Sequence, residues 1–180
     1  MTYRKAKSTE ADAIAHLHAQ SWQVAYKGIL TDAFLENDVL DNRLQKWRDR
    51  FNSSEPNRII FVAVENNQLK GFICLYGKGD VQWGTLVDNL HVLPALKGQG
   101  IGKRLMQKGA EWVAKNYPDS GLYLWVYEDN HAARRFYEKI GGENVESHIH
   151  ENPDGGSANT FRYAWKSVAA TLVAERIFSD

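Results

Sequence analysis

The sequence predicts an α+β fold, a mixed and mostly antiparallel central sheet of about seven strands flanked by helices. Three observations lead to it. Segments of alternating and of helical periodicity follow one another as strand, two helices, three antiparallel strands, helix, strand, helix and two strands. Short turns, Asn66-Asn67 and Asn152-Pro153-Asp154-Gly155-Gly156, join neighbouring strands into hairpins. The stretch Asn89 to Met106 passes from a strand through a glycine-rich loop into a helix.

Taken in order, Tyr3 to Ala6 reads as a short strand, and Thr9 with Asp12 as the start of a helix in a variant of the capping box. Ile14, Leu17 and Ser21 keep helical spacing, the helix runs to about Tyr26, and Gly28 ends it. Thr31 or Asp32 opens a second helical piece. Leu40, Leu44, Trp47 and Phe51 then mark an amphipathic helix. Ile59 to Glu65 and Leu69 to Tyr76 are strands, Gly77 to Asp80 turns the chain, and Thr85 to Leu93 is the next strand. A helix runs to about Tyr117 and stops at Pro118. Leu122 to Tyr127 is a fifth strand, and Asn130 caps a helix ending at Gly141-Gly142. Val145 to His150 and Thr160 to Trp165 complete the sheet. The tail from Val168 reads as a helix, either packed on the domain or forming a homodimer contact.

A chain of 180 residues fits one domain with a sizeable core. Its 22 basic and 22 acidic residues leave no basic excess, which argues against a general nucleic-acid binder. The lone cysteine, Cys74, cannot make an internal disulfide and lies in an apolar run, as a small core residue does. No stretch of 18 apolar residues spans a membrane, and the N-terminus lacks an apolar h-region; the expectation is a cytoplasmic protein without membrane contact.

Chemistry concentrates at the glycine-rich loop. Leu90 and Val92 alternate as in a strand, and Pro94 ends the ladder because it has no N–H. Gly98, Gly100 and Gly102 let the backbone turn amides toward one point at the positive end of a helix dipole, with Lys97, Lys103 and Arg104 around it. A phosphorylated ligand suits that point; a plain tight turn is the alternative. The dinucleotide fingerprint fails because Lys103 stands where a glycine is needed. The Walker loop fails because Arg104 follows Gly102-Lys103.

Lys97-Gly98-Gln99-Gly100-Ile101-Gly102 resembles motif A of the GNAT N-acetyltransferase superfamily, with lysine where the family prefers glutamine or arginine. Leu124-Trp125-Val126, Asn130, Ala133, Phe136-Tyr137 and Gly141 resemble motif B, departing at Gly142-Glu143, where the family continues Gly-Phe. The two blocks cover about 85 to 142, in the family's order. The resemblance implies one GNAT domain over 1–167, with 168–180 as an appended tail, and a sheet splayed at the motif A strand.

It implies acetyl-CoA as cosubstrate and no metal. The loop from Lys97 through Gly98, Gln99, Gly100, Ile101 and Gly102 to Lys103 would bind the diphosphate. Main-chain groups of Leu90, His91 and Val92 would bind the pantetheine arm, and Asn130 and Ala133 would line the other wall. Asn130 reads equally as an N-cap. Acyl transfer to an amine develops negative charge on the carbonyl oxygen, which an amide near Val92 can stabilise. The leaving thiolate, of pKa about 8.5, needs a proton. Tyr137 matches the family's general acid, since a phenol of pKa about 10 keeps its proton at neutral pH.

For the amine's own proton, Asp88, His91 and Glu128 are candidates. Strand alternation puts Asp88 and His91 on opposite faces, so they do not act together. Trp22 and Tyr26 can floor an acceptor site by offering aromatic faces to a cation; core packing is the alternative. His148 and His150 share a strand face, but no third ligand follows. The expected activity is acetyl transfer from acetyl-CoA to a primary amine of a small molecule, polyamine or peptide. A non-catalytic acyl-CoA sensor is the alternative.

Overall fold

The computed structural model describes residues 1–167. The helix expected over 168–180 lies outside the described residues. The strands hydrogen-bond in the order β1-β2-β3-β4-β5-β7-β6 within a seven-stranded sheet. They are β1 (Thr2–Lys5), β2 (Arg58–Glu65), β3 (Gln68–Asp80), β4 (Gly84–Val92), β5 (Leu122–Tyr127), β6 (Glu143–Glu151) and β7 (Ser157–Trp165). The helices are α1 (Ala11–Ala25), α2 (Val39–Asn52), α3 (Ile101–Asn116) and α4 (His131–Lys139). Residues divide into two units, one of Met1–Cys74 with Asn89–Leu105, the other of Leu75–Asp88 with the chain from Met106 onward.

In the first unit β1 runs antiparallel to β2, from Thr2 opposite Val64 to Lys5 opposite Phe61. The expected Thr9 cap is not used. The Glu10 carboxylate instead accepts the Lys7 amide at 2.7 Å and both Arg4 nitrogens at 2.7 and 2.9 Å, and it closes a 3-10 turn at Ser8–Glu10 ahead of α1. A carboxylate that meets a guanidinium and an amide together outcompetes a hydroxyl that offers one weaker bond. Asp12 ties α1 to α2 through two 2.8 Å bonds to Arg48. One face of α1 buries Ile14, Ala15, Leu17, His18, Ser21 and Trp22.

The helical piece expected after Thr31 contains a π-helical turn, Phe34–Asp38, leading into α2. α2 buries Val39, Arg43 and Trp47, so its inner face is rotated from the Leu40–Leu44 stripe. Arg43 reaches that face because its guanidinium lies 4.1 Å from the centre of the Trp22 ring, where a planar cation packs well. Gly71 on β3 lets the start of α3 approach the strand. A Cβ there would stand 2.9 Å from the His91 carbonyl and 3.1 Å from Leu105.

In the second unit β3 continues to Asp80, where a turn was expected from Gly77. Gly77 leaves room for the Tyr117 ring, which a Cβ would meet at 2.3 Å. The chain turns only after Asp80, whose carboxylate accepts the amides of Gln82 and Trp83 at 2.7 and 3.0 Å. β5 runs antiparallel to β7, and β6 pairs with β7 in a hairpin with one irregularity between Asn144 and Glu146. α4 is followed by Ile140 at its C-cap and then by Gly141, whose φ is +82°. The Trp165 indole then donates to the Ile140 carbonyl at 2.9 Å and lies against Gly142, so a bulky ring fills the place behind the Gly142-Glu143 step.

Candidate active site

The loop after β4 shows why Gly98 and Gly100 stand where they do. A 3-10 turn at Pro94–Leu96 ends the strand, and Gly98 and Gly100 then take φ of +82° and +79°. A Cβ at either would meet nothing within 4 Å, so backbone conformation, not space, demands glycine. The Arg104 amide makes the first α-helical bond, to the Gly100 carbonyl at 3.0 Å. Ile101, Gly102 and Lys103 therefore form the opening turn of α3. Lys97, Gly98, Gln99 and Gly100 are exposed, while the Ile101 side chain is buried at 3% and anchors the turn. Although Lys97 is exposed as a residue, neighbouring atoms desolvate its ammonium group and lower its pKa from its ordinary value.

Upstream, β4 pairs with β5 in parallel at two positions, Thr85 with Leu122 and Leu86 with Tyr123. Beyond Leu86, no described residue of β4 pairs with β5. Leu90, His91 and Val92 lie on this stretch. A ladder that stops short leaves main-chain groups for a ligand that bonds like a strand. An amide-bearing arm followed by a diphosphate fits that strand and the loop that follows it.

His91 points toward α1. Its Nδ1 lies 2.9 Å from Ser21 Oγ, and its ring centroid is 4.2 Å from His18 and 5.5 Å from Phe72. Burial, with the positive charges of Lys97 and Arg43, lowers its pKa from 6.5 to about 3. His91 is thus uncharged at neutral pH and a poor resting base. His18 is wholly buried, and its pKa is likewise pushed well down by burial and by His91, Arg43 and Arg50. Its Nδ1 accepts the Trp47 indole N–H at 2.9 Å. Sequence reasoning missed His18 and missed Ser21 as a polar contact. The available signal was two polar residues one turn apart on the α1 face that carries Leu17 and Trp22.

Trp22 is buried, and one of its faces carries Arg43, so the cation held there is the protein's own. Tyr26 is half-buried, with its ring 5.0 Å from Trp22. Asp88 is half-buried and belongs to the second unit, whereas His91 belongs to the first.

In the second unit Asn130 caps α4, its Oδ1 accepting the Ala133 amide at 3.3 Å, which leaves the side-chain NH2 as a donor. Ala133 is half-buried. Tyr137 is buried in α4, with ring centroids of Phe136, Tyr163 and Trp165 at 5.4, 6.0 and 6.2 Å. Burial pushes its phenol well above the ordinary tyrosine range, which keeps the proton in place. Glu128 has a structural use: its carboxylate accepts from Asn159 at 3.0 Å, and its carbonyl accepts from Arg134 at 2.9 Å.

His148 and His150 are exposed, with centroids 5.9 Å from Trp125 and 6.2 Å from Tyr127. No group of three or more His, Cys, Asp or Glu among the described residues is placed to hold a metal. Cys74 is buried as a free thiol. No described helix is long and apolar enough to cross a membrane.

The chain is 28% identical over 148 residues to the uncharacterized N-acetyltransferase YuaI of Bacillus subtilis, covering 81% of this chain and 82% of that one. It is 37% identical over 99 residues to a ribosomal protein bS18-alanine N-acetyltransferase of Haemophilus influenzae, covering 53% and 64%. Its fold is similar to the crystal structure of PaiA N-acetyltransferase from Thermoplasma acidophilum in complex with coenzyme A. The TM-score is 0.69 at 20% identity, covering 91% of this chain and 98% of that one. The family model described as acetyltransferase (GNAT) family matches residues 12–142. The chain therefore belongs to the GNAT acetyltransferase family and is an acetyltransferase.

Proposed function

We propose that the enzyme moves an acetyl group from acetyl-CoA to a primary amine of a small molecule, polyamine or peptide, in the cytoplasm. The observation that carries the donor assignment is the β4–β5 ladder that stops at Leu86, followed along the chain by the Gly98–Gly100 loop. Acetyl-CoA supplies the activated thioester; the remaining roles fall to this chain. Amides from Gly98 to Lys103, with the Lys97 and Lys103 ammonium groups, hold the diphosphate. Main-chain groups of Leu90, His91 and Val92 orient the arm, and an amide near Val92 stabilises the carbonyl oxygen as it becomes negative. Asn130 and Ala133 line the cofactor, and Asn130 keeps its role as helix cap.

Tyr137 gives its proton to the departing sulfur. Burial keeps the phenol protonated at neutral pH, so a proton is present on Tyr137 when the sulfur departs. Trp22 and Tyr26 border the acceptor. Asp88 remains a candidate for the amine's proton, on the opposite face of the strand from His91. The relatives named above carry N-acetyltransferase names, which favours the enzyme over an acyl-CoA sensor. Thiol release from acetyl-CoA, followed across polyamines, aminoglycosides and peptides with free N-termini, tests the reading. Amine-dependent release is expected. Tight coenzyme A binding without turnover on any amine would overturn it in favour of the sensor.

A further inference from the structure

The two outer strands of the sheet differ. β1 is four residues long and carries Arg4 and Lys5, the short and basic kind of edge that resists pairing. β6 is nine residues long, holds no lysine, arginine or proline, and hydrogen-bonds to β7 alone among the described strands. No residue from 146 to 151 is buried, and Ile149, 68% exposed, is among the large apolar side chains left in water. The irregularity between Asn144 and Glu146 confines regular pairing to residues 146–151, each set opposite one residue of β7.

Alternation along that run decides which main-chain groups point outward. The Asn159 carbonyl accepts the Glu128 amide at 2.9 Å, so Asn159 turns its groups toward the β5 side. Its neighbours Ala158 and Thr160 therefore bond to β6, with His150 and His148 opposite them. By the same alternation the Glu146 main chain bonds inward, opposite Arg162, while Ser147, Ile149 and Glu151 aim N–H and C=O groups at the open edge. Side chains divide likewise. Glu146, His148 and His150 stand on the face of Trp125 and Tyr127, where Glu146 meets the Arg162 guanidinium at 3.2 Å. Ser147 and Ile149 stand on the other face.

We propose that β6 pairs antiparallel with β6 of a second copy of this chain, about a two-fold axis at His148. Main-chain groups of Ser147 in one copy then meet those of Ile149 in the other, twice by symmetry. Glu146 of each copy falls opposite His150 of the other, an acid facing an imidazole. The two Ile149 side chains lie diagonal to one another on the opposite face, within reach across the new pair of strands. Charge selects this register. An axis at Ser147 would bring Glu143 toward Glu151, and an axis at Ile149 would set His148 against His150 and leave Glu146 without a histidine. The contact is isologous, so it closes at two copies and joins their sheets into one. A strand-to-strand contact of this length stays below the roughly 1,200 Å² of stable complexes, so the association is weak and reversible.

The test uses the full chain. Sedimentation velocity over a hundredfold range of concentration should show a reversible equilibrium between monomer and dimer. Amide hydrogen exchange should protect Ser147 and Ile149 at high concentration and release them on dilution, while His148 and Thr160, paired within one chain, stay protected throughout. Symmetry counts each substitution twice. His150→Glu, which faces Glu146 with a second acid, should therefore weaken association about tenfold, and His150→Lys should strengthen it several-fold. Ile149→Pro, which removes an amide that bonds only across the edge, should abolish it. Should the proline disturb β6, the His150 pair and the exchange pattern decide. A monomer at every concentration would overturn the inference, as would a dimer in which Ser147 and Ile149 exchange freely or the two His150 variants act alike. Protection of those amides that ignores concentration would overturn it too, since residues 168–180 or another part of the same chain would then cover the edge.

Discussion

Replacing Tyr137 by Phe is expected to lower kcat by about 100-fold or more, the range that general acid catalysis contributes, while leaving the KM for acetyl-CoA little changed. The ring is buried among Phe136, Tyr163 and Trp165, and its hydroxyl makes no hydrogen bond among the described residues. Removing the oxygen therefore breaks no internal bond, and stability should change by less than about 1 kcal/mol. A rate loss in a protein that melts as wild type does isolates the proton. An unchanged kcat would mean that sulfur leaves as thiolate or takes its proton elsewhere.

The second large effect is expected at Gly100. An L-residue in the left-handed region costs about 1–2 kcal/mol, and at φ +79° with open space around the Cβ that cost is purely conformational. Gly100→Ala should either retain the strain or relax by rotating the peptides that aim the first-turn amides. Either way coenzyme A binding should weaken about tenfold or more, one power of ten for each 1.4 kcal/mol. Gly155 supplies the control. It has φ +86° and open surroundings in the β6–β7 loop, so Gly155→Ala carries similar strain without touching the cofactor loop. Calorimetric titration should find weakened binding in the first variant and wild-type binding in the second. Equal losses in both would mean that global stability, not loop geometry, sets the affinity.

Much of the fold was legible because its signals are local. The run Leu122 to Tyr127 after the stop at Pro118 marked β5, and Asn130 marked the cap of α4. Where the expected boundaries failed, a distant residue had intervened. Tyr117 occupies the space above Gly77 and keeps β3 extended, and Arg4 recruits Glu10 in place of a Thr9 cap. The rotation of α2 has the same origin, since Arg43 is buried by an indole on another helix.

The candidate site divides in the same way. Its loop could be read from glycine spacing, because positive φ at Gly98 and Gly100 is a property of single residues. The surroundings of His91 could not, because Ser21 and His18 lie about seventy positions away and only packing joins them to the strand.

The most direct measurement is an amide correlation spectrum of 15N-labelled protein titrated with coenzyme A. Binding through the glycine loop and the edge of β4 should produce the largest shifts at Gly98, Gly100, Ile101 and Gly102, with a second group at Leu90, His91 and Val92. Saturable binding that leaves those amides unmoved and shifts others would contradict the account at its root.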